Sequence, residues 1–264
     1  MTDIRPAAVA GAFYPRQPSL LASEIAGYLA AAPGAGAAPP KAIIAPHAGY
    51  VYSGPIAASI YARLAPLRGT VRRVVLAGPA HRVFVRGAAV PSSEGFASPL
   101  GNVALDREAI ASLRELPFVE VSDRAHAMEH SLEVHLPFLQ TVLGEFALVP
   151  VVVGDASPAE MAQLFGRHWG GEETLIVVSS DMSHYLPYES ARAVDAHTAK
   201  AILQLRDCLE PEEACGAAPI NGLLRAARGR GLVAEQVDLR NSGDTAGDRE
   251  RVVGYGAFAF HAAP

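Results

Sequence analysis

The sequence predicts a single-domain α/β fold over residues 1–264, with a mixed, mostly parallel central sheet flanked by helices. Several short apolar runs end in Gly, Pro or Ser, which is typical of buried parallel strands that enter loops. Helical patterns separate most of these runs, and such alternation is characteristic of a sheet covered by helices. Two β runs near the end of the chain are separated by a turn-rich segment, so we expect them to pair antiparallel at a sheet edge.

The first half of the chain opens with a predicted helix over residues 18–31, where apolar residues recur at helical spacing and Ser19 is a candidate N-cap. A Gly/Pro/Ala linker at 33–41 leads into a strand that ends in APHAGY. A second helix is predicted over 54–67, and the strand RRVVLAGPAH follows it.

The next stretch, residues 83–105, alternates short apolar runs with turn residues, which predicts a hairpin or meander between sheet strands. Asp106 is the predicted N-cap of a short helix over 106–115, and Ser131 that of a helix running to residue 142. The remaining predicted elements are strands at 146–153 and 174–179, helices at 158–168, 188–205 and 219–228, and final strands at 232–240 and 251–261.

Composition excludes several classes of protein. Half of the residues are hydrophobic, so disorder is not expected, and the net charge of −5 provides no basic surface for nucleic acid. No apolar segment reaches the ~18 residues that span a bilayer, and the N-terminus lacks a signal-type apolar core. Cys208 and Cys215 form no CxxC motif, and we interpret both as ordinary reduced thiols in a helical region. The cytoplasm is the expected location.

Three histidines follow strand-like apolar runs: His47, His81 and His184. Ligands of open α/β sheets bind beyond the carboxyl ends of the strands, so we expect the three imidazoles to converge in one crevice. Imidazole is a common ligand of iron, copper and zinc. Asp181 precedes His184 by three residues, a spacing that lets a carboxylate orient the ring. The alternative is that Asp181 caps a helix and His184 lies at the surface.

Two further candidates, His130 and His135, flank a predicted helix start in EHSLEVH. Five residues correspond to about 140° around a helix, so both reach one cavity only if His130 precedes the helix. The loop NSGDTAGD at 241–248 contains Asp244, which with His47 and His81 would complete the two-His, one-carboxylate triad of non-haem Fe(II) oxygenases. The alternative is that this loop is only a hairpin turn.

Six blocks that span almost the whole chain resemble the Memo family, in the family's order: RPAAVAGAFYP at 5–15, APHAGYVYSG at 45–54, GPAH at 78–81, EHSLEVHLPFL at 129–139, SSDMSHY at 179–185 and GDTAGDRERVVGYGAF at 243–258. The resemblance implies a fold like that of the LigB-type class III extradiol dioxygenases. Prokaryotic members are labelled AmmeMemoRadiSam system protein B, which implies AMMECR1-like and radical SAM partner proteins.

The resemblance also implies site roles. His47 and His81 match two metal-ligating histidines, and His184 matches an acid–base histidine. The third ligand is expected from the loop before the last strand, where animal Memo has a Cys. This chain has none there, and Asp244 or Ser242 stands in its place.

Three functions are compatible with these features. The first is a metal-dependent oxidoreductase, with Fe(II) the favoured ion and copper or zinc as alternatives; His184, Asp181, His135 and His130 are the catalytic candidates. The second is a non-catalytic protein that binds a peptide or a small molecule on the same fold. The third is a zinc-dependent hydrolase. The substrate is not indicated by the sequence.

Overall fold

A computed structural model describes residues 3–33 and 39–263 of the chain. Residues 34–38 of the predicted linker lie outside the described residues. The main feature is a nine-stranded mixed sheet, in the order β10-β12-β2-β9-β3-β8-β4-β7, with β11 paired to β12. Its strands are β2 (Ala42–Ala45), β3 (Arg73–Pro79), β4 (Ala88–Val90), β7 (Val119–Val121), β8 (Ala147–Val153), β9 (Thr174–Ser179), β10 (His184–Leu186), β11 (Leu232–Asn241) and β12 (Val252–Ala262).

The four central strands β2, β9, β3 and β8 run parallel to one another and are almost entirely buried. Ala45 pairs with Ser179, so β2 and β9 end side by side at one edge of the sheet. Because β3 is the next neighbour in the same direction, the loops after all three strands leave the sheet together. This arrangement brings residues that are distant in sequence to one place.

Antiparallel pairing is confined to the flanks of the sheet. β12 pairs antiparallel with β2 and with β11, which confirms the predicted pairing of the last two strands. β4 pairs antiparallel with β8. The predicted hairpin within 83–105 is also present, as β5 (Gly95–Ser98) and β6 (Gly101–Ala104), and it forms a small separate sheet with β1 (Ile4–Arg5).

Eight α-helices flank the sheet in the described part of the chain, and the predicted α/β class is confirmed. Helix α2 packs against β2, β11 and β12, whereas α8 packs against β3, β9 and β11. The helices are α1 (Pro18–Ala31), α2 (Tyr50–Tyr61), α3 (Arg107–Leu113), α4 (Asp123–Ala127), α5 (Leu136–Leu143), α6 (Pro158–Arg167), α7 (Tyr188–Leu203) and α8 (Ala217–Arg228). No described helix has the length and apolar character needed to cross a membrane.

Helix boundaries differ from the sequence prediction in two informative places. The helix predicted at 54–67 begins at Tyr50, contains Pro55, and changes to a 3-10 helix at 62–67. Gly54 thus lies inside the helix and against the Tyr28 ring, where a Cβ would come within 2.7 Å. Ser131 does not cap a helix. Its hydroxyl donates to Pro79 O, and a 3-10 turn at Glu133–His135 precedes α5.

Candidate metal centre

His47 occupies the loop between β2 and α2 and is almost fully buried. Its Nδ1 lies 2.6 Å from Ser179 Oγ, and that hydroxyl donates its own proton to Ser131 O at 2.6 Å. The hydroxyl must therefore accept from Nδ1–H, which leaves the Nε2 lone pair of His47 available. Burial, aided by the neighbouring histidines, holds the pKa of His47 well below its usual value, so the ring is neutral.

His81 follows β3 and is held by the carboxylate of Glu129. Its Nδ1 lies 2.9 Å from Glu129 Oε1, and its backbone N–H donates to Oε2 at 2.6 Å. Burial alone would raise the pKa of Glu129, but hydrogen bonds from His81 and Ser131 outweigh it and lower the pKa to about 2. An ionised carboxylate on Nδ1–H fixes the ring and directs Nε2 away, as acidic partners do for metal-binding histidines.

His130 is the third member of the group. Its ring stacks on His81 with centroids 4.6 Å apart and lies edge-on to His47 at 5.5 Å. One ligand nitrogen from each of the three histidines lies within 4.8 Å of the others. Burial, followed by the charge of His81, lowers the pKa of His130 to about 4.

The donor set fits a metal ion. All three rings can offer imidazole nitrogens, and His130 Nδ1 is a buried atom without a hydrogen-bond partner among the described residues. Imidazole suits zinc, copper and iron, so this set alone does not select among them.

The three histidines line an open pocket of about 570 Å³. Asp181 and His184 line the same pocket, so the structure brings the three predicted strand-end histidines together. Aromatic side chains contribute much of the remaining wall: Phe13, Tyr52, Tyr185 and Tyr255. Phe13 lies 4.7 Å from the His130 ring, centroid to centroid, so the N-terminal segment forms part of the site.

Asp181 does not orient His184, contrary to the prediction from their spacing. Its Oδ1 accepts from His47 N at 2.8 Å, and its Oδ2 lies 3.9 Å from His47 Nε2. Burial raises the pKa of this carboxyl to about 7, although the His47 backbone hydrogen bond opposes that shift. His184 begins β10, and burial lowers the pKa of its half-buried ring.

His135 lies in the core rather than in the pocket. A hydrogen bond of 2.7 Å joins its Nδ1 to Tyr61 Oη, and only 1% of the residue is exposed. Burial lowers its pKa to about 3. As the sequence allowed, His130 precedes the helical turn and reaches the site, whereas His135, within the turn, packs inward.

Asp244 is not brought to the histidines either, and the structure favours the turn interpretation of its loop. Its Oδ2 accepts from Asn241 N at 3.0 Å and its Oδ1 from Tyr188 Oη at 2.5 Å, which closes a capping box around a 3-10 turn. Asp244 is exposed, whereas Ser242 from the same loop lines the pocket. His130 therefore replaces Asp244 in the close group.

We expect Asp244→Ala to lower the free energy of unfolding by about 1 kcal/mol, the usual cost of losing a cap. Metal content after reconstitution should stay at the wild-type level, because both carboxylate oxygens are engaged away from the pocket. Urea unfolding and elemental analysis measure the two quantities. Loss of metal with unchanged stability would restore Asp244 as a ligand.

Sequence reasoning missed two residues of the site. The only sequence feature that points to Glu129 is its position as an acidic residue directly before His130. The sequence predicts Cys215 to be an ordinary thiol in a helical region, but the structure places it in the turn before α8, with its Sγ 3.4 Å from His47 Nε2. Burial raises its pKa to about 12. Cys208, by contrast, is exposed.

We expect Glu129→Gln to weaken metal binding by about 10–100-fold, the usual effect of losing a carboxylate that supports a ligating histidine. The amide keeps the shape but cannot offer two anionic oxygens to His81 Nδ1 and to the backbone N–H groups. Competition with a chromophoric chelator measures the affinity. Asp123→Asn is the control, since that carboxylate binds Ser92 rather than a histidine of the pocket. An equal loss in both variants would contradict a specific role for Glu129.

Comparison with known proteins agrees with the resemblance noted in the sequence. The family model described as "Memo-like protein" matches residues 5–259. A MEMO1 family protein of Aquifex aeolicus is 37% identical over 272 residues, covering 96% of this chain and 97% of that protein. One from Methanothermobacter thermautotrophicus is 34% identical, covering 96% and 98%. A solved structure, an uncharacterized protein of Escherichia coli K12, has a TM-score of 0.48 and 17% identity, covering 81% of this chain and 98% of that one. The family match and the identity to its members establish that this chain belongs to the Memo family.

Proposed function

We propose that this protein is a metal-dependent oxidoreductase that binds one Fe(II) ion through His47, His81 and His130. The observation that carries the proposal is the convergence of three imidazoles within 4.8 Å in an open pocket. The buried carboxylate of Asp181 beside His47 favours iron, because iron oxygenases combine histidine nitrogens with carboxylate oxygen. When bound, Fe(II) would supply open coordination positions for a substrate oxygen and for O₂.

His184 is the proposed proton acceptor. Its imidazole lines the pocket without belonging to the close group, and burial lowers its pKa, so it is neutral near pH 7. A neutral ring nitrogen facing the pocket can take a proton from a substrate hydroxyl. Tyr185, the next residue, has a φ of 59°. This left-handed conformation is unusual for a bulky residue, and it fixes the direction of the chain next to His184.

Asp181 has two proposed tasks. Its hydrogen bond from His47 N holds the loop after β2, and thus the position of the His47 ring. With a pKa near 7, its carboxyl can also exchange a proton with the pocket near neutral pH.

The substrate is proposed to be a small molecule rather than a peptide. A pocket of about 570 Å³ falls within the usual range of small-molecule sites. Phe13, Tyr52 and Tyr185 provide flat apolar surface around polar groups at the histidines, which suits a compact, partly apolar molecule.

Anaerobic reconstitution tests the proposal. Wild-type protein loaded with Fe(II) should retain about one iron per chain after dialysis and give the paramagnetic resonance signal of an iron–nitrosyl complex when nitric oxide is added. His184→Gln is the matched control, since it alters the proposed proton acceptor and should leave metal content and signal unchanged. Retention of zinc but not iron would instead indicate the hydrolase, and retention of no metal would indicate a non-catalytic binding protein.

A further inference from the structure

Arg251 is the residue immediately before β12, and it lines the same pocket as the histidines. The pairing of β10 with β12 sets its place, because His184 lies opposite Val253 at the start of β12. The register of this pairing shifts just after His184, at Tyr185, which has the left-handed φ of 59°. The guanidinium of Arg251 consequently lies over the Tyr185 ring, 5.1 Å from the ring centroid.

The Arg251 side chain makes no hydrogen bond and no ion pair among the described residues. Only its backbone N–H is engaged, and it donates to Asp248 Oδ1 at 3.3 Å. The same oxygen accepts from Glu250 N at 2.9 Å, so the Asp248 carboxylate closes the turn before β12. Contact with the face of the Tyr185 ring uses none of the guanidinium N–H donors, and their planar fork matches the two oxygens of a carboxylate.

The Arg251 guanidinium stands on the side of the pocket where His184 lies. The Tyr185 ring under this guanidinium is 5.8 Å from the His184 ring, centroid to centroid. An anionic group bound by Arg251 would therefore be separated from the proposed proton acceptor by one aromatic ring. Phe13 and Tyr52 line the same pocket, so flat apolar surface is available for the body of such a ligand.

Asp248 determines which anion is favoured. It lines the pocket together with Arg251, and its Oδ2 accepts no hydrogen bond within the described parts of the chain. Its negative charge repels a ligand more strongly as the charge of that ligand increases. A carboxylate, with one negative charge, is thus favoured over a phosphate monoester, which carries close to two near pH 7.

We propose that Arg251 sets the specificity of the pocket by binding the carboxylate of a small planar substrate. This inference rests on the oxidoreductase proposed above and adds the chemical class of its substrate. The role of Arg251 is recognition: an ion pair with two parallel hydrogen bonds forms, and no covalent bond changes. The opposite end of the substrate is then left to the histidines of the same pocket.

Calorimetric titration with benzoate and benzamide tests this inference, because the two probes share a shape and differ in charge. Wild-type protein should bind benzoate at least about 10-fold more tightly than benzamide, as expected for hydrogen bonds between charged groups. Arg251→Gln should lose this preference, and Arg251→Lys, which keeps the charge without the planar fork, should retain part of it. Arg249→Gln is the matched control, since Arg249 lies over the Tyr188 ring and does not line the pocket.

Titrations of both metal-free and Fe(II)-loaded protein separate this inference from the proposed function. A preference for benzoate that depends on Arg251 in metal-free protein supports the inference even if iron is not retained. Equal binding of the two probes by wild type, a preference that persists in Arg251→Gln, or an equal loss in Arg249→Gln would overturn it and leave the metal site standing. Tighter binding of phenyl phosphate than of benzoate would overturn the assignment of a carboxylate.

Discussion

Replacing Glu133 by alanine is expected to lower the free energy of unfolding by about 3–5 kcal/mol, the cost of removing one partner of a buried ion pair. Glu133 is fully buried and accepts from Arg5 Nη1 at 2.7 Å and from Tyr14 Oη at 2.6 Å. It also accepts from the backbone N–H groups of Ala8 and Val9. Alanine would leave the Arg5 guanidinium buried without a counter-ion and two backbone donors without an acceptor.

Urea unfolding of wild type and Glu133→Ala measures this loss. Glu189→Ala is the control, because its ion pair with Arg192 lies on the surface with both side chains mostly exposed, and such pairs are worth about 0–1 kcal/mol. Similar midpoints for the two variants would mean that the Arg5–Glu133 pair does not hold the fold together.

The Glu133 network also connects stability to the site. It anchors residues 5–14, and from that segment Phe13 packs on His130 while its carbonyl accepts from Tyr50 N at the start of α2. Arg5 in addition donates to the carbonyl of Glu129, whose carboxylate holds His81. The N-terminal segment thus supports two of the three histidines without supplying a donor atom itself.

Strand ends could be predicted from the sequence because the signal is local. An apolar run closed by Pro or Gly marks the end of a buried strand, and parallel strands deliver their ends to one edge of the sheet. The convergence of His47, His81 and His184 on one pocket follows from that rule. This convergence could be predicted without knowing the order of the strands in the sheet.

The third member of the close group could not be predicted in the same way. His130 does not follow a strand. It reaches the site because the next residue, Ser131, is held at the ends of β3 and β9. The Ser131 hydroxyl donates to Pro79 O, and the Ser131 carbonyl accepts from Ser179 Oγ. Nothing in the local pattern of EHSLEVH encodes these long-range contacts. The residue type of Asp244 makes it a candidate metal ligand, but its carboxylate instead accepts hydrogen bonds from Asn241 N and Tyr188 Oη.

Cys215 illustrates the same limit. The order of the strands places the turn before α8 against the end of β9, and only that packing brings the thiol to His47. In sequence the two residues are separated by 168 positions, and the thiol has no motif around it. Residues in the turns that lead into the covering helices are therefore the part of this site that local patterns reveal least.

His81→Ala is expected to abolish stable metal binding, with an affinity loss of at least about 100-fold, the upper end of what weaker supporting changes cause. Among alanine replacements of the three histidines, this variant best separates an effect on metal binding from an effect on folding. The side chain of His81 is 28% exposed, whereas His47 is buried against Ser179 and Cys215. Glu129 would keep its backbone donors at His81, His130 and Ser131, so no unpaired buried charge results.

The effect is measured as metal content after anaerobic reconstitution with Fe(II) and dialysis. Urea unfolding of the metal-free protein should show a change in the free energy of unfolding of about 1 kcal/mol or less. His197→Ala is the matched control, because that histidine is exposed on α7 and lies outside the pocket. If His81→Ala retains wild-type iron, the group of His47, His81 and His130 is not the metal site. If both variants lose iron equally, the ion is bound elsewhere. Loss in His81→Ala alone, at unchanged stability, identifies the end of β3 as a metal-binding position.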